Sequence, residues 1–316
     1  MPTVTNLFGI GFVNNGPLTT TYTPPASCAT GTTDQIIFAD TSTITLSFGE
    51  ANCTAVPLGI CLPSNSTYDK LNSKWRQSGG QGTIDYFSPG IYCPKGWTTA
   101  ATFAHGDKTG SPKRGGAFTE TTSSDPGETA SVMNPYMPIE QIWLNALDPS
   151  ETLAYCCPSG WTARKRGGCY SFIEPLESAT AYSEMCNIQT RVDAIHEVST
   201  IEGRSLSQYM YSFETGVRST ATTALSELRE VLETNSYYDY SSLAVVRYFP
   251  AVKLVYKESD LKPTGDGGGD DDEEKADDDK EEEDDNGSSR LLRSGGLVSI
   301  IAVLFSMLIG AGLVML

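Results

Sequence analysis

Histidine is almost missing from this chain of 316 residues: only His105 and His196 occur, far apart. Zinc sites use paired C-x2-4-C or H-x3-5-H spacings so that one short loop offers two ligands to a tetrahedral ion. The gaps between successive cysteines are 25, 8, 32, 63, 1, 12 and 17 residues, and none forms such a knuckle. There is no G-x-S-x-G elbow, no H-E-x-x-H, no P-loop and no G-x-G-x-x-G after a strand, so no motif asks for a metal, a nucleotide or another cofactor. Concentrated positive charge is lacking as well, with 22 Lys and Arg against 39 Asp and Glu. A nucleic-acid partner, which needs cations for phosphates, is excluded on that ground. The first 23 residues hold no basic n-region followed by an unbroken apolar core, so no secretory leader is read there.

The net charge of −17 is localised. Between Asp266 and Asp285 there are 14 acidic residues and two Lys; residues 1–265 carry 25 acidic and 18 basic side chains. One tract therefore sets the extreme value. It has almost no apolar residue, and like charges at that density repel, so residues 263–296 are expected to form a disordered acidic stalk. The tract lacks the D-x-[DN]-x-[DN]-G spacing of a calcium loop.

Eight cysteines are present, Cys28, Cys53, Cys61, Cys93, Cys156, Cys157, Cys169 and Cys186, and all lie in the first 186 residues. An even number in one loop-rich segment points to a disulfide framework made in an oxidising compartment. A vicinal bond between Cys156 and Cys157 would strain the peptide joining them, so two separate partners are expected. Eight cysteines allow 105 pairings, and spacing alone selects none. The sequons Asn52-Cys53-Thr54 and Asn65-Ser66-Thr67 fall in the same segment and make Asn52 and Asn65 glycosylation candidates. A catalytic Cys/His arrangement is disfavoured because the cysteines look committed to pairing. His196-Glu197 offers an acid/base pair, although a surface helix turn explains it equally well.

Candidate strands are Thr19–Thr23, Gln35–Ala39, Ser42–Phe48, Leu243–Phe249 and Val252–Tyr256, the last two joined around Pro250-Ala251. Gly, Pro, Asn and Ser between Phe48 and Gly90 predict mainly loops. Apolar residues at intervals of three and four from Thr215 to Glu233 predict one amphipathic helix. The expected fold is therefore a mixed, β-dominated, disulfide-tied ectodomain. It divides into a flexible N-terminus (1–15), a cysteine-rich β body (16–190) and a closing helix plus strand pair (191–262).

An internal echo runs through this body. Cys93-Pro94-Lys95-Gly96-Trp97-Thr98 returns as Cys157-Pro158-Ser159-Gly160-Trp161-Thr162, and Lys113-Arg114-Gly115-Gly116 returns as Lys165-Arg166-Gly167-Gly168. Pro-x-Gly reads as a tight turn, so two related, disulfide-tied turns are expected, each covered by its Trp. An exposed Trp platform for sugar, or dibasic processing, is the alternative use.

The last 20 residues, Leu297 to Leu316, carry no charge. As a helix they would span about 30 Å, the thickness of a bilayer's hydrocarbon, so they are expected to insert in a membrane. Arg290 and Arg293 precede the segment and nothing basic follows, which suits a tail anchor. Asn286, Gly287 and Ser288, then a polar spacer and this apolar tail, also match a glycolipid attachment signal.

The stretches Gly16-Pro17-Leu18-Thr19-Thr20-Thr21-Tyr22-Thr23-Pro24-Pro25-Ala26-Ser27-Cys28, Tyr86-Phe87-Ser88-Pro89-Gly90 with Cys93-Pro94, Cys156-Cys157-Pro158-Ser159-Gly160-Trp161-Thr162 and Val252 to Leu261 resemble a family of uncharacterised fungal membrane-anchored proteins. The resemblance covers about residues 16–262. It implies a cysteine-containing body outside the plasma membrane, a low-complexity stalk and one hydrophobic helix, and it brings no activity. This chain has acid where that family carries a Ser/Thr-rich stalk, and it ends at its hydrophobic segment, so the family's type I topology is not carried over. Two functions of different class follow as expectations. One is a non-catalytic cell-surface protein whose partner is a wall polymer or a surface protein. The other is a membrane-tethered extracellular hydrolase using a carboxylate pair. A cytosolic-facing tail-anchored protein with reduced thiols is the third reading.

Overall fold

The computed structural model describes residues 2–261 except 8–9, 30–34, 42–46, 79–81, 107–110, 120–131, 134–137, 202–203 and 235–239. The chain begins with β1 (Asn6–Leu7), β2 (Ile10–Asn14), β3 (Gln35–Asp40) and β4 (Ser47–Glu50), then helix α1 (Ser66–Ser78). Next come β5 (Thr83–Tyr86), β6 (Trp97–Ala104), β7 (Lys113–Gly116), β8 (Val132–Met133) and helix α2 (Ile139–Ala146). The second half holds β9 (Glu151–Pro158), β10 (Thr162–Ala163), β11 (Gly168–Pro175), β12 (Glu184–Ile201), β13 (Arg204–Ala224), helix α3 (Leu225–Thr234), β14 (Leu243–Pro250) and β15 (Val252–Lys257).

The strands form three sheets, ordered β1-β2-β5, β10-β11-β14-β3-β4-β12-β13-β8 and β15-β9-β6-β7. The fold is β-dominated, as the sequence pattern predicts. Residues Met1–Lys262 form one compact unit. Within the segment expected to be flexible, β2 is a strand, with Ile10 and Phe12 buried.

Gln35–Asp40, Leu243–Pro250 and Val252–Lys257 are strands where apolar, β-branched runs predict them. However, β14 and β15 do not pair with each other. β14 lies between β11 and β3 in the large sheet, whereas β15 pairs with β9 in the four-stranded one. The chain changes sheets at Ala251, whose N–H donates to Gly167 O at 2.8 Å.

The expected strand Ser42–Phe48 lies mostly outside the described residues, only its last two residues falling in β4. Other expectations are corrected. Thr19–Thr23 is no strand: only Leu18 bridges to Gly90, and Tyr22 is held by loop contacts, its hydroxyl donating to Ile60 O and its own carbonyl accepting from Lys95 N–H. The predicted helix over Thr215–Glu233 begins only at Leu225, because Arg218 to Ala224 pairs along β12. Thr220, Thr222 and Thr223 favour extended backbone despite the helical spacing of the apolar residues. From there Leu225, Leu228 and Leu232 bury one face of α3 against Phe38, Leu243 and Val245. Each buried leucine contributes about 1.5–3 kcal/mol. Helices α1 and α2 were not expected. His196 and Glu197 lie in β12, not on a helix turn, and successive strand residues face opposite sides of a sheet, so they do not form one acid/base pair.

The main core packs the first and third sheets around Trp143. This indole is fully buried, with Phe12 and Tyr86 edge-on at 5.5 and 6.4 Å. Its Nε1–H donates to the Tyr155 hydroxyl at 2.9 Å, and that hydroxyl donates to Lys165 O at 3.1 Å. Burial pushes the Tyr155 phenol well above its ordinary pKa.

Candidate functional sites: disulfide frame, sequons and a buried ionic cluster

All eight cysteines are bonded: Cys28–Cys61, Cys53–Cys186, Cys93–Cys156 and Cys157–Cys169. Their Cα–Cα distances, 5.5, 5.1, 5.6 and 5.6 Å, suit the bond. Cys156 and Cys157 do take separate partners. They are neighbours in β9, so their side chains leave opposite faces of the sheet, one toward Cys93 and the other toward Cys169. Cys53–Cys186 ties the loop after β4 to the base of the long β12–β13 hairpin.

The two echo motifs are equivalent turns that meet. Trp97 N–H donates to Pro94 O and Trp161 N–H to Pro158 O, both at 3.0 Å, with Gly96 at φ +81° and Gly160 at +83° supplying the left-handed residue of each turn. Each motif opens a hairpin, but the Lys-Arg-Gly-Gly copies differ in place: Lys113–Gly116 is the return strand β7 paired with β6, whereas Lys165, Arg166 and Gly167 lie in the turn between β10 and β11. Trp97 pairs in register with Pro158, and Ser159 donates from both its N–H (3.0 Å) and its hydroxyl (2.9 Å) to Gly96 O. Both indoles are half-buried, and Trp97 packs edge-on to Phe249 at 5.5 Å. Both pack against the main core. Lys113 and Arg114 lie within a strand, while Lys165 is paired with Glu140 at 2.9 Å.

Asn52 and Asn65 are both exposed. Asn65 sits at φ +51° just before α1. Asn52 borders a hollow of about 160 Å³ with Glu50, Thr54 and Tyr182. A larger groove, about 490 Å³, follows Ser66, Asp69, Lys70, Ser73, Lys74 and Gln77 along one face of α1. Among the described residues, each concavity is lined by one carboxylate. That of Asp69 accepts from Leu58 N–H at 2.9 Å and Gly59 N–H at 2.8 Å, and Glu50 is paired with Arg76.

A set of ionisable groups comes together where β5, α1, β14 and β15 approach. Lys253, 7% exposed, places Nζ 3.3 Å from Asp85 Oδ1, and Asn15 Nδ2 donates to Asp85 Oδ2 at 3.2 Å. Tyr68, Tyr248 and Arg164 adjoin it. Burial pushes the Tyr68 hydroxyl well above the phenol range, with Tyr248 and Asp85 adding to the effect. Burial also raises Tyr248, opposed by the Arg164 guanidinium, and lowers Arg164 itself. A glycosidase-like pair needs two carboxylates facing a cleft, one of them able to hold a proton. Here Asp85 and Glu50 are each bound to a cation instead.

The chain matches no protein-family model, no curated protein and no solved structure. Its chemistry therefore has to be read from its own residues. Among the described residues no three His, Cys, Asp or Glu side chains cluster to hold a metal ion. Among them, too, no helix is long and apolar enough to cross a membrane. The acidic stalk, the attachment candidates Asn286, Gly287 and Ser288, and the apolar segment Leu297 to Leu316 lie outside the described residues. Sequence reasoning missed the Asn15–Asp85–Lys253 set, because three residues so distant in the chain leave no local signal.

Proposed function

We propose that this protein is a non-catalytic cell-surface protein. Its disulfide-tied body is presented on an acidic stalk and held to the membrane by Leu297 to Leu316, with a wall polymer or a surface protein as partner. The observation that carries the reading is the pairing of every cysteine into four bonds that span the body. Such a frame persists in oxidising compartments and is reduced in the cytosol. The exposure of both sequon asparagines is in keeping with it, since a transferred glycan needs open surface. A self-repelling tract between body and membrane acts as an extended spacer.

The test is mass spectrometry of the full chain from its native cell, without reductant and with and without glycosidase. Four disulfides and a mass shift at Asn52 or Asn65 are expected. Free thiols together with unmodified Asn52 and Asn65 would sink the reading and favour a cytosolic-facing protein.

A further inference from the structure

We propose that Lys253 and Asn15 become joined through their side chains by an amide bond, with Asp85 carrying the protons. The three residues come from separate strands. Asn15 follows β2, Asp85 is in β5 beside it, and Lys253 is in β15. The carboxylate bridges the two reacting partners, one oxygen 3.3 Å from Nζ and the other 3.2 Å from Nδ2. The side chains of Lys253 and Asp85 are only 8% and 13% exposed. The backbones that carry the set are fixed: Asn15 N–H donates to Tyr86 O at 2.7 Å and Phe87 N–H to Lys253 O at 2.9 Å. Gly167, lacking a side chain, closes over the lysine stem; a Cβ there would lie 2.6 Å from Lys253 Cε.

The Asp85 carboxylate lies within hydrogen-bond distance of Nζ and is therefore placed to take its proton as attack begins. The amine so formed has its lone pair free, and Asn15 is held on the other oxygen of the same carboxylate. Attack forms the Nζ–Cγ bond and breaks Cγ–Nδ2. The proton held by Asp85 and the second one released from Nζ leave with the departing nitrogen as ammonium. Asp85 ends as a carboxylate, and neither oxidant nor cofactor is consumed. Because β15 is the last strand and Asn15 lies near the first ones, the bond would close almost the whole body into one covalent ring.

The experiment is tandem mass spectrometry of the full-length chain after denaturation, reduction, deglycosylation and proteolysis. A branched peptide joining residues 15 and 253 is expected, lighter than its two arms by about 17 Da, one ammonia. It should vanish in Asn15→Ala and in Lys253→Arg, which keeps the charge and the ion pair, and fall at least tenfold in Asp85→Ala. Disulfide mapping of each variant reports whether it has folded. Linear Asn15 and Lys253 peptides from wild-type protein with all four disulfides formed would overturn the proposal. A loss of about 18 Da, one water, would overturn it also, by making Asp85 the acyl donor. Undiminished branching in a folded Asp85→Ala variant would refute the proton-carrying role.

Discussion

Replacing Cys53 and Cys186 together by alanine is expected to remove about 4 kcal/mol of stability while leaving the other three disulfides in place. A cross-link stabilises chiefly by restricting the unfolded chain, and the restriction grows with the logarithm of the loop it closes. The sequence separation is 133 residues, which alone would give about 5 kcal/mol. That loop is already shortened by two other bonds. From Cys53 the shortest covalent path runs to Cys93, crosses to Cys156, steps to Cys157, crosses to Cys169 and continues to Cys186. It contains about 60 residues, and the entropic contribution falls to about 4 kcal/mol. Guanidinium unfolding without reductant measures the loss, and the slope m should rise slightly because the freed unfolded chain exposes more surface. In a background lacking Cys93–Cys156 the path roughly doubles, so the same replacement should cost about 0.6 kcal/mol more. A loss below about 1 kcal/mol would refute the reasoning, since the hairpin base would then be held by its strand pairing alone.

Tyr155→Phe should destabilise the body by about 2–4 kcal/mol in chemical unfolding, because it strands the buried Trp143 N–H and the Lys165 carbonyl together. Trp143 fluorescence should move as its hydrogen-bond partner disappears. Gly167→Ala combines a φ of +89° with a clash against Lys253 Cε. A lower thermal midpoint, with a cost of about 1–3 kcal/mol, is expected, as is less of the Asn15–Lys253 peptide.

What could be read from sequence was whatever left a local signature. β3, β14 and β15 are short apolar runs, β14 ending at a proline, and such runs have few other uses. The echo turns were legible because Pro-x-Gly constrains backbone directly. Helix α1 was not, since Ser66 to Ser78 offers only Tyr68, Leu71 and Trp75 at helical spacing among polar residues, and it is also held from outside, by Asp69 against the Leu58 and Gly59 amides and by Arg76 against Glu50. The segment from Thr215 to Ala224 fits both periods, and only its pairing with β12 decides between them. The disulfide pattern and the ionic cluster depend on which strands become neighbours, and no window of sequence contains that.

The order of the strands also says when the body can close. β3 and β11 flank β14 in the large sheet, and β9 reaches β15 in another, so residues 243–257 complete two sheets at once. Pairings of such long range form late, after loop closure has been met by local contacts. The final strand is correspondingly well secured. Its start, Val252, lies opposite Cys156, which is bonded to Cys93. Lys253 is paired with Asp85, and Leu254 bridges Phe87 on the other side. A pull applied beyond Leu261 would run along β15, where six register pairs with β9 resist together by shear. A disulfide-linked partner strand, a buried ion pair and the Phe87 bridge thus converge on this segment, an arrangement that would suit the C-terminal tether proposed above.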